Sequence, residues 1–343
     1  MIKIKWPSTV VAATMLLTIF FIACSANALT KDEVQKRGYV QCGVSTGTPG
    51  FSVPDEKGNW VGMDVDICRA VAAAVLGDSS KVRFIPLSSQ ECFTALQAGD
   101  VDILLRNSSW TFIHDSSLAL NFAGIYYFDS QGFLVSKELK VETALDLAGA
   151  RLCVQQGTTH EIYLSRFFID QKMEYKPVFF NSFSDAVKGY KDGKCDVLTH
   201  KKTILHGLKS DFQSSNEAIV LPETIAREPL SPVIRQGDDG WFNIVKWTLY
   251  LMINAEEEGI SSVNIDEVGA RLVPDGEYRV GVNGALGTGL GLSDDWAYKV
   301  IKQVGNYGEL FNRNLGKDSV LKMKRGLNNL WSQGGLLYAP PIR

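Results

Sequence analysis

The 343-residue chain is poor in what marks a metal site, a membrane bundle or a nucleic-acid surface. It has 4 His and 6 Cys. No Cys-x-x-Cys pair or His cluster is among them, so no metal is expected, and no cofactor. Past residue 28 no apolar run is long enough to span a bilayer. Basic residues are not in excess: 35 Lys and Arg stand against 38 Asp and Glu, a net charge of −3, which argues against nucleic acid or an anionic membrane as partner. The glycine-rich stretch 281–291 lacks the Lys-Ser/Thr end of a phosphate loop and reads as a flexible loop.

The N-terminus has a clear reading. Lys3 and Lys5 precede an apolar run over 8–23, and Ala26-Asn27-Ala28 is a small-x-small cleavage site. Residues 1–28 therefore read as a cleavable secretory signal peptide, with the mature protein soluble and periplasmic. Cleavage removes two lysines and no acid, so the net charge of −3 drops by two to −5. The 315 residues left of 343 are enough for two lobes.

The remainder is organised around 101–129. A short buried strand, 101–105, runs into the polar turn Arg106-Asn107-Ser108-Ser109, a helical turn follows from Thr111, and 121–133 reads as a strand leaving for another part of the molecule. Ligands of open α/β sheets bind beyond the carboxyl ends of strands, which points to this turn. The plan helix–Gly–x–x–Asp–strand occurs twice, at 91–105 and 186–199, and predicts two lobes of similar α/β build. Strand 151–154 ends in Gln155-Gln156-Gly157-Thr158-Thr159 before a helix over 160–169; this turn offers N–H and hydroxyl donors at a helix N-terminus, or a plain cap. Helices are expected over 63–75, 241–253, 294–308 and 319–331.

Several of these stretches resemble the periplasmic amino-acid-binding proteins of ABC importers, the family 3 solute receptors. The likeness rests on Asp102, Asn107, Ser109, Thr111, His114 and Phe122, on the order loop–aromatic–turn–Gly-x-Asp-x-Asp–helix at 45–75, and on Gln156-Gly157-Thr158-Thr159. The region 296–316 with 326–343 is similar to the long C-terminal part of the general L-amino-acid receptors, so the likeness covers nearly all of the mature chain. It implies an α/β, two-lobe type II binding-protein fold with two hinge strands, near 127–131 and 224–228, and a C-terminal extension. Lobe 1 would hold 29–128 and 228–343, and lobe 2 would hold 129–227. It also implies a monomer that takes a small-molecule ligand and docks on an inner-membrane ABC permease. Five cysteines remain after cleavage. Pairing within lobes would join Cys42 to Cys68 and Cys153 to Cys195 and leave Cys92 odd, but connectivity stays open at the level of sequence.

The resemblance implies a ligand set of Phe51, Asn107, Ser109, His114, Thr158, Thr159 and Lys201. Phe51 reads equally as core packing. The family's carboxylate-gripping Arg is here His114, and its ammonium-binding Asp is Lys201; Cys92 also stands where an Arg is usual. Reversing a charge against the ligand's ammonium shifts an interaction of about 4 kcal/mol at close range by roughly twice that. Three readings compete. One is a transport receptor with altered specificity, for an anionic or N-blocked solute held by Lys201, His114 and Arg106. Another is a binding-impaired surface or signalling protein, and a third is a dehydratase-type enzyme using His114 and Glu91. The reading as a receptor, and not an enzyme, comes first.

Overall fold

A computed structural model describes residues 29–211, 218–270 and 285–342. Residues 1–28, expected to be a signal peptide, and residues 281–284 of the glycine-rich stretch lie outside the described residues; the rest of that stretch starts with a 3-10 helix, Ala285–Leu290.

In chain order the elements are α1 (Thr30–Arg37), β1 (Val40–Val44), β2 (Val53–Pro54), β3 (Trp60–Val61), α2 (Met63–Leu76), β4 (Val82–Pro86), α3 (Cys92–Ala98), β5 (Ile103–Leu104), α4 (Phe112–Ser117), β6 (Leu120–Phe122) and β7 (Tyr127–Ser136). They continue with β8 (Arg151–Gln155), α5 (Thr159–Asp170), β9 (Lys176–Phe180), α6 (Phe183–Lys191), β10 (Val197–Lys201), α7 (Lys202–Asp211), β11 (Ala218–Val220), β12 (Ala226–Leu230) and β13 (Val233–Arg235). The chain closes with α8 (Asp239–Glu257), α9 (Ile265–Ala270), α10 (Trp296–Val304) and α11 (Tyr307–Asn314).

The strands form two main sheets, as the two helix–Gly–Asp–strand units predict. One has the order β4-β1-β5-β13-β6, the other β11-β7-β10-β8-β9, with β12 also paired to β7. In the first, β1 runs parallel to β4 and β5. In the second, β8 runs parallel to β9 and β10. Each parallel core aims its carboxyl ends at one edge, where loops and helix starts collect. Strands β7 and β12 pair antiparallel from Tyr127 with Leu230 to Gln131 with Ala226 and carry the chain between the sheets. The stretch 121–133 is thus not one strand. It breaks at Gly124, which adopts φ 92° with the Tyr250 ring 3.2 Å from where a Cβ would stand.

Helix α2 shows how the tail completes the first lobe. Its residues from Met63 to Val75 are all buried except Arg69. A helix apolar on most sides needs partners on most sides. It has β1 on one face, and α8 and the C-terminal helices on others: Trp296, Val300, Ile301, Tyr307 and Phe311 share one core cluster with Ile67 and Val71. Gly62 starts the helix at φ 131°, and a Cβ there would lie 2.1 Å from the Phe51 carbonyl oxygen, so only glycine fits.

Two sequence expectations for the tail are corrected. The helix over 294–308 ends at Val304; Gly305 leaves helical geometry and Asn306 caps a new helix, α11, through a capping box with Glu309. Residues 319–331 are not a helix. Lys322 and Gly326 take positive φ, 47° and 53°, and short 3-10 turns form instead, Gly326–Asn328 and, from the last of these residues, Trp331–Gln333. This tail instead clamps the interlobe strand: the Asn328 amide accepts from the Phe128 N–H at 2.7 Å and donates to its carbonyl at 3.1 Å. The Tyr307 hydroxyl donates to the Tyr126 carbonyl at 2.8 Å.

Two disulfides are present, Cys42–Cys68 tying β1 to α2 and Cys153–Cys195 tying β8 to the turn before β10, and Cys92 is free and buried.

Candidate ligand cleft between the lobes

A cavity of about 530 Å³ lies between the lobes. The segments just beyond the carboxyl ends of the parallel strands line it from both sides. Lobe 1 contributes Ser45 to Pro49 after β1, Ser88 to Gln90 after β4, and Arg106 and Asn107 after β5; lobe 2 contributes Gln155, Thr158 and His160 after β8, Ser182 to Ser184 after β9, and His200 and Lys201 at the end of β10. This is the strand-end crevice in which open α/β sheets bind ligands.

None of the described residues lining the cavity is Asp or Glu; the charged ones are Arg106 and Lys201. Arg106 is positioned by its own turn, with Nε donating to the Leu87 carbonyl at 2.9 Å and Nη2 to Ser89 Oγ at 2.8 Å. Burial pulls it below the usual arginine range, and the nearby Asp64 and Glu91 oppose that. Lys201 is 4% exposed. Its ammonium crosses from lobe 2 to lobe 1, donating to the Asn107 carbonyl and to Asn107 Oδ1. Asn107 reaches this position by adopting φ 58°, which Asn tolerates better than most residues. Burial pulls Lys201 down from the ordinary lysine range, while Glu228 and Asp129 act to keep it charged.

Those two acids form the layer beside Lys201, together with Asp64. Burial pushes Asp64 up to about 6, even though Tyr126 donates its hydroxyl to it. Asp129 is likewise pushed up to about 6 by burial, against the pull of Lys201. Glu228 accepts from the Ser109 hydroxyl. The lobe 2 wall is aromatic: the His160 and His200 rings lie 4.2 Å apart, and Phe183 stands 3.9 Å from His200 on the other side. Burial holds His160 down at about 4 and His200 well below its ordinary value.

Of the seven residues expected from sequence, the structure brings Asn107, Thr158 and Lys201 to the cavity and places the other four elsewhere. Phe51 is 0% exposed and packs edge-on against Tyr127 at 5.3 Å, the core role weighed for it. Ser109 is turned to Glu228 and joins the turn to the interlobe strand, with the adjacent Trp110 N–H donating to the Pro229 carbonyl at 2.8 Å. His114 is held within its own segment, Nδ1 lying 3.1 Å from the Ser109 carbonyl oxygen and the ring 4.9 Å from Phe93. Thr159 is the first residue of α5; the N-cap is Thr158, whose hydroxyl donates back to the Gln155 carbonyl at 2.7 Å. Glu91 accepts from the Ser88 N–H at 3.0 Å and, like His114, does not line the cavity. Sequence reasoning missed His160, His200 and Phe183. The signal was available for His160, which directly follows the turn after β8; His200 lies within β10, next to Lys201.

The model of the bacterial extracellular solute-binding proteins, family 3, matches residues 40–258. The chain is 49% identical over 323 residues to the general L-amino acid-binding periplasmic protein AapJ of Rhizobium johnstonii, covering 94% of this chain and 95% of that one. It is 48% identical to the putative amino-acid ABC transporter-binding protein YhdW of Escherichia coli K12, covering 98% of each. Among solved structures it superposes on an ABC transporter periplasmic binding protein from Brucella ovis with glutathione bound, with a TM-score of 0.89 and 46% identity, covering 92% of this chain and all of that one. The two-lobe architecture and these relationships agree: the chain belongs to the family 3 bacterial extracellular solute-binding proteins.

Proposed function

We propose that the protein is the periplasmic solute receptor of an amino-acid-type ABC importer whose cleft has shifted from zwitterions to small anions. Its relatives carry the names of amino-acid-binding and ABC transporter-binding proteins, which supports the transport role. The observation that carries the shift is the cleft wall: Arg106 and Lys201 face the cavity, and no carboxylate among the described residues does. A free α-ammonium entering this space meets Lys201, at the position where the family resemblance implies an Asp. The start of α5, a helix of 12 residues, adds backbone N–H groups beside Thr158.

In this reading lobe 1 comprises 29–128 and 228–343, lobe 2 comprises 129–227, and β7 and β12 form the hinge. Export uses residues 1–28, and the ligand-loaded monomer docks on an inner-membrane permease. The test is calorimetric titration of the purified mature protein with the common L-amino acids and with C4–C6 dicarboxylates. Dicarboxylates should bind and neutral L-amino acids should not. Submicromolar binding of neutral L-amino acids, worth more than about 8 kcal/mol, overturns the shift.

A further inference from the structure

The lobe 2 wall of the cleft carries polar groups that the anion reading does not use. Both ring nitrogens of His160, and Nδ1 of His200, are buried without a hydrogen-bond partner. His160 is 7% exposed and lines the cavity. A buried nitrogen left unpaired costs on the order of 1–3 kcal/mol, so three beside one cavity wall leave hydrogen-bonding capacity there that the fold itself does not use.

The chemistry of those partners follows from the state of the rings. Burial keeps both imidazoles neutral at neutral pH. A neutral imidazole presents one N–H donor and one lone pair. It therefore suits an uncharged group that both accepts and donates, not a second carboxylate. An amide has this pair of functions in one plane, and the closely packed, mutually tilted rings of Phe183, His200 and His160 offer aromatic surface against which a planar group packs. The cavity, at about 530 Å³, falls among sites that enclose drug-sized ligands, roughly 300–1,000 Å³, and leaves room beyond a single small carboxylate.

We propose that His160 and His200 form a specificity subsite for an amide group of the ligand, so that the preferred solutes are anions bearing an amide, such as N-acylated amino acids or short γ-linked peptides. This rests on the anionic reading of the cleft and deepens it: Arg106 and Lys201 hold the carboxylate end, and the imidazoles read the uncharged linkage.

The experiment titrates the mature protein with glutarate, malate, N-acetyl-L-glutamate and glutathione, in the wild type and in His160→Thr, His200→Thr and His160→Gln. The amide-bearing anions should bind about tenfold more tightly than glutarate, the worth of one or two net hydrogen bonds. Each Thr variant should lose most of that advantage, weakening the amide-bearing anions several-fold more than it weakens glutarate. His160→Gln keeps a donor and an acceptor and should retain much of it. The proposal is overturned if malate binds as well as the amides, or if the Thr variants weaken glutarate and the amides alike. Binding of glutarate with no gain from an amide defeats this inference alone. Binding of none of the four defeats the anionic reading as well. Circular dichroism of each variant separates lost binding from lost fold, and His160→Gln keeps the test open if a Thr variant does not fold.

Discussion

Asp129 and Glu228 stand directly opposite each other on β7 and β12, the paired strands that join the lobes, and one cation, Lys201, acts on both. One oxygen of each acid, Asp129 Oδ2 and Glu228 Oε1, is buried without a hydrogen-bond partner. Like charges directly across a strand pair repel, so the interlobe strands depend on the Lys201 ammonium in a way that an ordinary surface pair would not.

Lys201→Met should accordingly destabilise the protein at pH 8 by about 3–5 kcal/mol, the usual cost of removing one partner from a buried charge group. The deficit should shrink as the pH falls. Asp129 titrates near 6 in the folded protein, and its proton replaces the lost compensation. Urea unfolding at pH 8 and pH 5 measures both values; a deficit independent of pH would show that packing of the lysine stem, not its charge, is what matters.

The buried imidazoles and the buried acids pull stability in opposite directions. His160 has a folded value of about 4 against 6.5, so between those values the unfolded chain binds more protons and stability is lost as pH falls. Asp64 and Asp129, raised from 3.8 to about 6, bind more protons when folded, and contribute stability that grows as pH falls through 6 toward 4. His160→Thr removes the loss and leaves the gain. Between pH 7 and pH 5 the variant should therefore lose less stability than the wild type by about 2 kcal/mol. Denaturant midpoints for the two proteins at both pH values check the sign directly.

Asn107 combines a positive φ of 58° with two contacts to the Lys201 ammonium, through its carbonyl oxygen and Oδ1. Asn107→Gly keeps the backbone conformation and the carbonyl contact and loses only Oδ1. Asn107→Val loses the same atom and forces a β-branched residue into left-handed geometry. The valine variant should be less stable than the glycine variant by about 1–2 kcal/mol in chemical denaturation.

Thiol chemistry should reveal one slow cysteine in the protein lacking residues 1–28. Cys42–Cys68 and Cys153–Cys195 are closed, and Cys92 is 1% exposed with its thiol pushed up by burial. A disulfide reagent should find almost no reactive thiol in the native protein and one equivalent after unfolding without reductant. The double variant Cys153→Ser with Cys195→Ser opens a crosslink spanning 42 positions and should cost about 3–4 kcal/mol.

The two-lobe plan was legible because it is written in local signals. The paired units mark where β5 and β10 begin, directly after Asp102 and Asp196, and the turn chemistry at Gly157 to Thr159 marks where β8 ends. The site was legible only in part. Position along a turn says that Asn107 and Ser109 are near a strand end, but not which way a side chain faces, and Ser109 turns to an acid, Glu228, from a strand 119 residues away. His114 was placed by its family counterpart, yet a shorter ring bonds to its own turn where an Arg extends. The charge layer was not legible at all, since Asp64, Asp129 and Glu228 meet Lys201 only once the chain has crossed between the sheets twice, through β7 and β12.

The family match stops at residue 258, but β7 is held at Phe128 by Asn328, 200 positions downstream, and Tyr126, just before β7, is held by Tyr307. The strand that joins the lobes is therefore fastened by a part of the chain that the matched domain does not contain. A protein cut at residue 258 would uncover α2 and free that end of β7 at once. Changes far out in the tail thus reach the interlobe strands without touching the cleft.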